Sequence, residues 1–284
     1  MEERLTKVLT IFKLGKLLKW RQVPSNQNTV FVVKTTLGRF VVKEFSEDAI
    51  SDTRTLNLRR EQTRVSREWN KSGIRCIVPR TDFLELEGRF YVVYDYFEGK
   101  NKKHFGKKEL ALLAQTQAKI HQLKTSTTLN CEYDEIDFGG KLKCLYELVR
   151  ANNDGLKAAK RELIASHNDY KPLNILWQNG EMYLMDFDAV SLVNPTCAVY
   201  ESALTFSLVR GRVRRERFDY YLEEYSKYAA LSQDKRLLAV AANGKLRWLR
   251  YLSSKDWKRN TKVRKDIKHL TKELESYYKT IVKS

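Results

Sequence analysis

Short runs of β-branched and aromatic residues with two-residue alternation dominate the first hundred positions, and apolar residues recur every three to four positions over most of the remainder. The early exception is residues 2 to 18, where Leu5, Val8, Leu9, Phe12 and Leu17 lie near helical spacing and predict a short amphipathic opening helix. After Pro24 and the polar SNQN, the runs TVFVVKT and RFVVKEF flank TLGR and predict a hairpin with Gly38 in its turn. Residues 53 to 71 are strongly charged, with Leu56, Val65 and Trp69 apolar. They predict a helix that covers one face of the hairpin and ends at Gly73. TDFLEL and RFYVVYDYF, joined by Glu87-Gly88, predict two more strands, and the strand signal stops at Glu98-Gly99-Lys100.

From Lys107 the period changes. KKELALLAQTQAKIHQLK carries a stripe of Leu110, Leu113, Ala114, Gln117 and Ile120 that faces a core. Two shorter helices are predicted over 139 to 151 and 154 to 165, and four more after Pro195, over 197 to 210, 214 to 230, 233 to 253 and 262 to 282. Between these blocks lies SHNDYKPLNILWQNGEMYLMDFDA, residues 166 to 189, where Asn179-Gly180 separates two apolar runs. Both residues tolerate the positive φ of a tight hairpin turn, so the segment predicts a polar loop followed by a hairpin. The expected architecture is α+β in two lobes: a small antiparallel β lobe with one helix over 1–99, and a larger, mainly helical lobe over 100–284.

Composition adds limits. At 284 residues, 42% hydrophobic and 31% charged, the chain can bury a substantial core. Cys76, Cys131, Cys144 and Cys197 lie far apart, without a C-x-x-C pair or a histidine cluster, which points away from a zinc site or a disulfide framework. The N-terminus mixes charge with apolar residues, unlike a signal peptide, and no apolar stretch is long enough to span a bilayer; a cytoplasmic location is expected. The formal net charge of +18 is spread over the chain. It reads as a solvated surface, and no nucleic-acid partner is expected because no recognition motif accompanies it.

The candidate chemistry lies in the 166–189 segment. Asp169, Asn174 and Asp186 supply two carboxylates and an amide oxygen at one end of the hairpin, the atom types that phosphoryl transfer and Mg²⁺ require. The pattern H-x-D-x-x-x-x-N followed by MDFD resembles the catalytic segment of the aminoglycoside phosphotransferase and choline kinase superfamily, small-molecule kinases with a protein-kinase-like fold. The form SHND, with Asn168 before the Asp, looks especially like choline and ethanolamine kinases; aminoglycoside-type kinases more often carry Gly there. The resemblance implies Asp169 as catalytic base, His167 as a brace for the loop, Asn174 and Asp186 as magnesium ligands, and Asp188 as a second acidic position near the metal. It also implies Lys43, in VVKEF, as the ATP-contacting lysine and Glu61 as the helix glutamate that orients it, with Glu68 as runner-up. SNQN, including Ser25 and Asn26, would stand where protein kinases carry a glycine-rich loop, and Tyr94, Asp95, Tyr96 and Phe97 would form the strand and hinge that meet adenine.

His121, in AKIHQL, matches a helix motif common in the superfamily and reads as a packed residue rather than a catalytic one. Glu201 is a departure, standing where the superfamily usually has an Asp. Asp134, Glu135 and Asp137 read equally as a solvated loop or as an attractor for a cationic acceptor. Trp248, Trp257, Tyr277 and Tyr278 read as core or surface anchors rather than a cage for quaternary ammonium. The expected function is ATP- and Mg²⁺-dependent transfer to the hydroxyl of a small molecule, a choline-like amino alcohol favoured. The alternatives are an aminoglycoside kinase and a non-catalytic nucleotide-binding module. The acceptor's identity and the oligomeric state stay open at this stage.

Overall fold

The computed structural model describes residues 1–25, 28–131, 133–140, 142–254 and 260–284. The chain divides into two compact units, Met1–Asn101 with Asn174–Asp188, and Lys102–Leu173 with Ala189–Ser284. The break after Asn101 lies two residues beyond the expected boundary of 99, but the hairpin expected in the helical lobe belongs to the first unit. Its backbone bonds there: Lys100 and Trp177 exchange N–H···O bonds of 3.0 and 2.9 Å, and Leu184 accepts from Ile77 at 2.7 Å.

The first unit opens with α1 (Glu2–Ile11), which buries Leu5, Val8 and Leu9. The helix stops short of the expected residue 18. Lys13 and Gly15 adopt positive φ, and Leu17–Val23 forms a strand, β1, whose helix-like apolar spacing had concealed it. β2 (Thr29–Thr35), β3 (Gly38–Glu44), β4 (Leu84–Leu86) and β5 (Arg89–Asp95) complete an antiparallel sheet in the order β1-β2-β3-β5-β4. Strand alternation puts Phe31, Val33, Phe40, Val42, Tyr91 and Val93 on the α1 side of this sheet. The buried Glu44 carboxylate also lies on that side. It accepts from Arg89 at 2.6 Å and from Tyr91 Oη at 2.8 Å, with Arg4 of α1 at 3.6 Å.

Phe45, Ala49, Ile50 and Val92 form a second apolar cluster. Helix α2 (Thr53–Lys71) starts at Asp52, whose side chain accepts from Thr55 N in a capping box, and buries the stripe Gln62, Val65, Ser66 and Trp69. The hairpin β7 (Ile175–Gln178) and β8 (Glu181–Leu184) turns at Asn179 and Gly180, both at positive φ as its sequence requires.

The second unit is mainly helical: α3 (Lys107–Gln122), α4 (Tyr146–Ala159), α5 (Pro195–Ser207), α6 (Arg215–Ser226), α7 (Arg236–Val240), α8 (Asn243–Ser254) and α9 (Thr261–Tyr277). Two short antiparallel pairs interrupt it, β6 (Ile164–Ser166) with β9 (Ser191–Val193), and β10 (Leu208–Val209) with β11 (Arg212–Val213). The helices predicted over 139–151 and 154–165 are one helix, α4, followed by β6. Gly155 sits inside α4, where a Cβ would lie 2.6 Å from Val240 Cγ2 and 2.8 Å from the Arg236 carbonyl oxygen; its role is close packing on α7.

Gln117 is the polar centre of α3. It donates to the Ala198 carbonyl at 3.1 Å and Ser202 Oγ at 2.9 Å of α5, and accepts from Tyr221 Oη of α6 at 2.9 Å. No described helix is long and apolar enough to cross a membrane.

Candidate active site

In the first unit, alternation along β3 puts Lys43 on the face opposite Phe40 and Val42. Its ammonium is buried and lies 3.0 Å from Asp186 Oδ1 and 2.6 Å from Asp188 Oδ2. Burial alone would lower the lysine, but the charge of Asp188, with Tyr94 and Asp186 adding to it, holds the ammonium above its ordinary value. Asp188 is gripped from several sides. Asn28 Nδ2 donates to its Oδ2 at 3.1 Å, while Arg59 Nη1 and Gln62 Nε2 of α2 donate to its carbonyl at 2.6 and 2.8 Å. Asp186 adopts φ +61, a backbone state that an L-residue other than glycine seldom takes outside constrained sites.

Lys43 pairs with these two aspartates, and Glu61, its expected partner, pairs with an arginine. Glu61 lies off the buried stripe of α2, and its carboxylate binds Arg64, one turn on, at 2.8 Å; Glu68, the runner-up, binds the same arginine at 2.8 Å. The two aspartates after β8 take the place proposed for the helix glutamate. Asn174 is buried, and its carbonyl accepts from Met185 N at 3.0 Å, tying the start of β7 to the end of β8.

At the expected hinge, Tyr94 pairs with Val41 and Asp95 with Phe40 at the end of the β3–β5 register, Tyr96 lies under the Arg39 guanidinium at 3.7 Å, and the Phe97 and Tyr183 ring centroids are 4.3 Å apart. Asp95 is exposed and paired with Arg80 at 2.8 Å. Ser25 is exposed in the loop after β1, and Asn26 lies outside the described residues. Two carboxylates converging on one cation, with an amide residue at the same hairpin, form an all-oxygen donor set of the kind Mg²⁺ takes. Among the described residues there is no group of three or more His, Cys, Asp or Glu side chains able to hold a metal ion.

The second unit holds Asp169 in the loop after β6. Lys171 Nζ lies 2.7 Å from its Oδ2. Lys171 was not among the expected site residues, although its place in the sequence, two residues beyond the proposed base, is a signal for it. Asn168 sits at φ +53 and donates to Ser191 Oγ at 2.8 Å. A left-handed position favours Gly or Asn, and Asn168 supplies one of the two side chains that tolerate it best.

His167 is buried with its ring 6.1 Å from that of Tyr170, whose hydroxyl donates to the Leu113 carbonyl at 3.0 Å. Glu201 of α5 is partly buried, and its Oε1 lies 2.9 Å from where a Cβ on Gly244 would be. Burial pushes its carboxyl up to about 7; Asp169 adds to the rise, and Lys245, Lys171 and Arg247 oppose it. Asp134, one of the three acidic residues offered as an attractor for cations, faces Arg247 at 3.2 Å and Arg250 at 3.8 Å. Tyr277 is fully buried and donates to the Leu238 carbonyl at 2.6 Å. Trp248 is exposed and stacks on Tyr251, and Trp257 lies outside the described residues.

His121 is buried between Tyr225 Oη, 2.8 Å from Nδ1, and Ser166 Oγ, 3.1 Å from Nε2, so it braces the strand that leads into His167 and Asp169. Burial lowers it to about 3 from its ordinary 6.5. The folded state keeps the ring neutral while the unfolded chain protonates it below 6.5. Its stabilisation is complete above that value and is lost as pH falls towards 3, by up to roughly 5 kcal/mol. Glu201 acts in the opposite sense, because its raised carboxyl favours folding as pH drops through 7. The excess stability of wild type over His121→Gln is expected to shrink between pH 7.5 and pH 4.5 in urea melts; a difference independent of pH would contradict the assignment.

The sequence model of the Phosphotransferase enzyme family (APH) matches residues 19–231. A comparison with curated protein sequences finds no match. Among solved structures, the spectinomycin phosphotransferase APH(9)-Ia in complex with ADP and spectinomycin superposes with a TM-score of 0.71 at 15% identity, covering 99% of this chain and 98% of that one. The choline kinase LicA from Streptococcus pneumoniae gives 0.72 at 14%, covering 98% and 99%. A microcompartment-associated aminopropanol kinase gives 0.66 at 12%, covering 96% and 97%. These likenesses show the two-lobed kinase-like fold: a small antiparallel-sheet lobe and a helical lobe.

Proposed function

We propose that this chain, which belongs to the Phosphotransferase enzyme family, transfers the terminal phosphoryl group of ATP to a hydroxyl of a small molecule. The observation that carries the proposal is the Lys43 ammonium held against Asp186 and Asp188, a buried cation anchored by the acidic pair of the MDFD motif. Lys43 presents positive charge to phosphate oxygens, and its two carboxylates fix its direction. Asn174, Asp186 and Asp188 are the residues that would hold Mg²⁺, which when bound neutralises charge on the phosphates.

Asp169 takes the proton of the attacking hydroxyl. Lys171 keeps that carboxylate turned to a single orientation. Tyr94 to Phe97 form the adenine-facing edge, with Ser25 in the loop after β1 and Asn26 next to it in sequence. Among acceptors, a choline-like amino alcohol is favoured over an aminoglycoside. Asp134 already faces Arg247 and Arg250, which leaves it little charge to attract a polycation, and two of the structural relatives are named for choline and aminopropanol.

The test is transfer of labelled γ-phosphate from Mg-ATP to a panel of choline, ethanolamine, aminopropanol and aminoglycosides. Transfer to an amino alcohol is the expected result. Nucleotide binding without transfer to any acceptor would identify a non-catalytic module instead.

A further inference from the structure

Helix α2 presents a second face that the proposed reaction does not use. Arg60, Arg64, Arg67 and Lys71 follow one another at intervals of four, three and four residues, and all four line a cavity of about 590 Å³ that also contains Glu68, Asp82 and Phe83. The spacing puts the four cations in one row along the helix, and its ends, Arg60 and Lys71, are separated by roughly 16 Å of axial rise. The two inner guanidiniums are held in place: Arg64 by Glu61 and Glu68, and Arg67 by Asp82 at 3.0 Å and by the Pro79 and Thr81 carbonyls at 3.2 and 3.0 Å. The outer two are exposed and form no ion pair among the described residues. The centre of the groove therefore sets two guanidiniums against three carboxylates, Glu61, Glu68 and Asp82, with the Phe83 ring in the lining and an uncompensated cation at each end.

We propose that this groove docks an extended acidic segment of a partner protein, with carboxylates at its two ends and an apolar side chain between them against Phe83. A strand of about five residues spans the distance between the outer cations. Nucleic acid fits less well, because an unbroken row of phosphates would meet Glu68 and Asp82, whereas a peptide can place neutral side chains and N–H donors opposite them. The partner would grip the same helix whose neighbouring face, through Arg59 and Gln62, holds the Asp188 carbonyl. Docking would thus act on an element that positions the Lys43 site.

The test measures anisotropy of a fluorescein-labelled decamer, Glu-Glu-Glu-Ala-Ala-Leu-Ala-Glu-Glu-Glu, whose inner glutamates stand about 16 Å apart when extended, titrated with the full chain at low salt. The double variant Arg60→Glu/Lys71→Glu is expected to weaken binding by at least about tenfold, and Arg60→Gln/Lys71→Gln by an intermediate amount. Lys262→Glu/Lys265→Glu on α9, which changes net charge equally, is expected to weaken it by less than roughly threefold. Equal losses in the two charge-reversed proteins would mean that the overall charge of the chain attracts the peptide, and the proposal would fail. Binding of decathymidylate as tight as that of the peptide, or no peptide binding at millimolar concentration, would also overturn it.

Discussion

Asp169→Asn is expected to lower phosphoryl transfer by about 10²–10⁴-fold, the usual contribution of a positioned general base. The substitution keeps the shape of the side chain, and the amide oxygen can still accept a hydrogen bond from Lys171 in place of the 2.7 Å ion pair, so the loop is disturbed little. What is lost is the negative charge that draws the hydroxyl proton. The nucleotide-side groups Lys43, Asp186 and Asp188 lie in the other structural unit, so the thermal shift produced by Mg-ATP should persist in the variant. Turnover within about twofold of wild type would remove Asp169 from the role of base. Lys171→Ala, which leaves the carboxylate in place but frees its orientation, should cost less, on the order of tenfold.

Lys43→Met should have the second large effect, on nucleotide affinity. The ammonium is buried against two carboxylates, and replacing it by a thioether leaves Asp186 and Asp188 facing one another without a cation. The nearby negative charge then repels phosphate instead of being neutralised. The Kd for ATP is expected to rise by at least about tenfold, and the melting shift at a fixed ATP concentration to shrink accordingly. Asp186 is 42% exposed, so water screens part of the unbalanced charge; the cost to the unliganded fold should be nearer to 1–2 kcal/mol than to the roughly 3–5 kcal/mol of breaking a fully buried pair. An ATP-induced shift equal to that of wild type would show that the nucleotide does not meet Lys43.

The elements legible in the sequence are those whose signal is local. TVFVVKT and RFVVKEF carry strand alternation, Asp52 to Lys71 carries its own cap and stripe, and Asn179-Gly180 supplies the only backbone states that its turn needs. That signal fails where tertiary packing overrides local preference. Leu17 continued a helical spacing but lies in a strand that pairs with β2, and the close approach of α7 to α4 at Gly155 has no trace in the flanking residues. Gln62 was within reach: the stripe set by Val65 and Trp69 places it on the inward face of α2, whereas Glu61 falls beside it on the face of Arg64.

By itself, then, the sequence determined the residue types of the site: a base in SHND, an acidic pair in MDFD, a strand lysine in VVKEF. It could do so because each is written in a contiguous motif whose backbone geometry is local. Which of these touch was decided only by the tertiary structure. Strand alternation left Lys43 on the face where Asp186 and Asp188 arrive from about 140 residues later in the chain, and helix periodicity turned Glu61 away to Arg64, so the acidic pair after β8 became the lysine's partner. The row of cations on α2 has the same division: its spacing is legible in the chain, but only the fold sets Asp82 and Phe83 against it and leaves its two ends uncompensated.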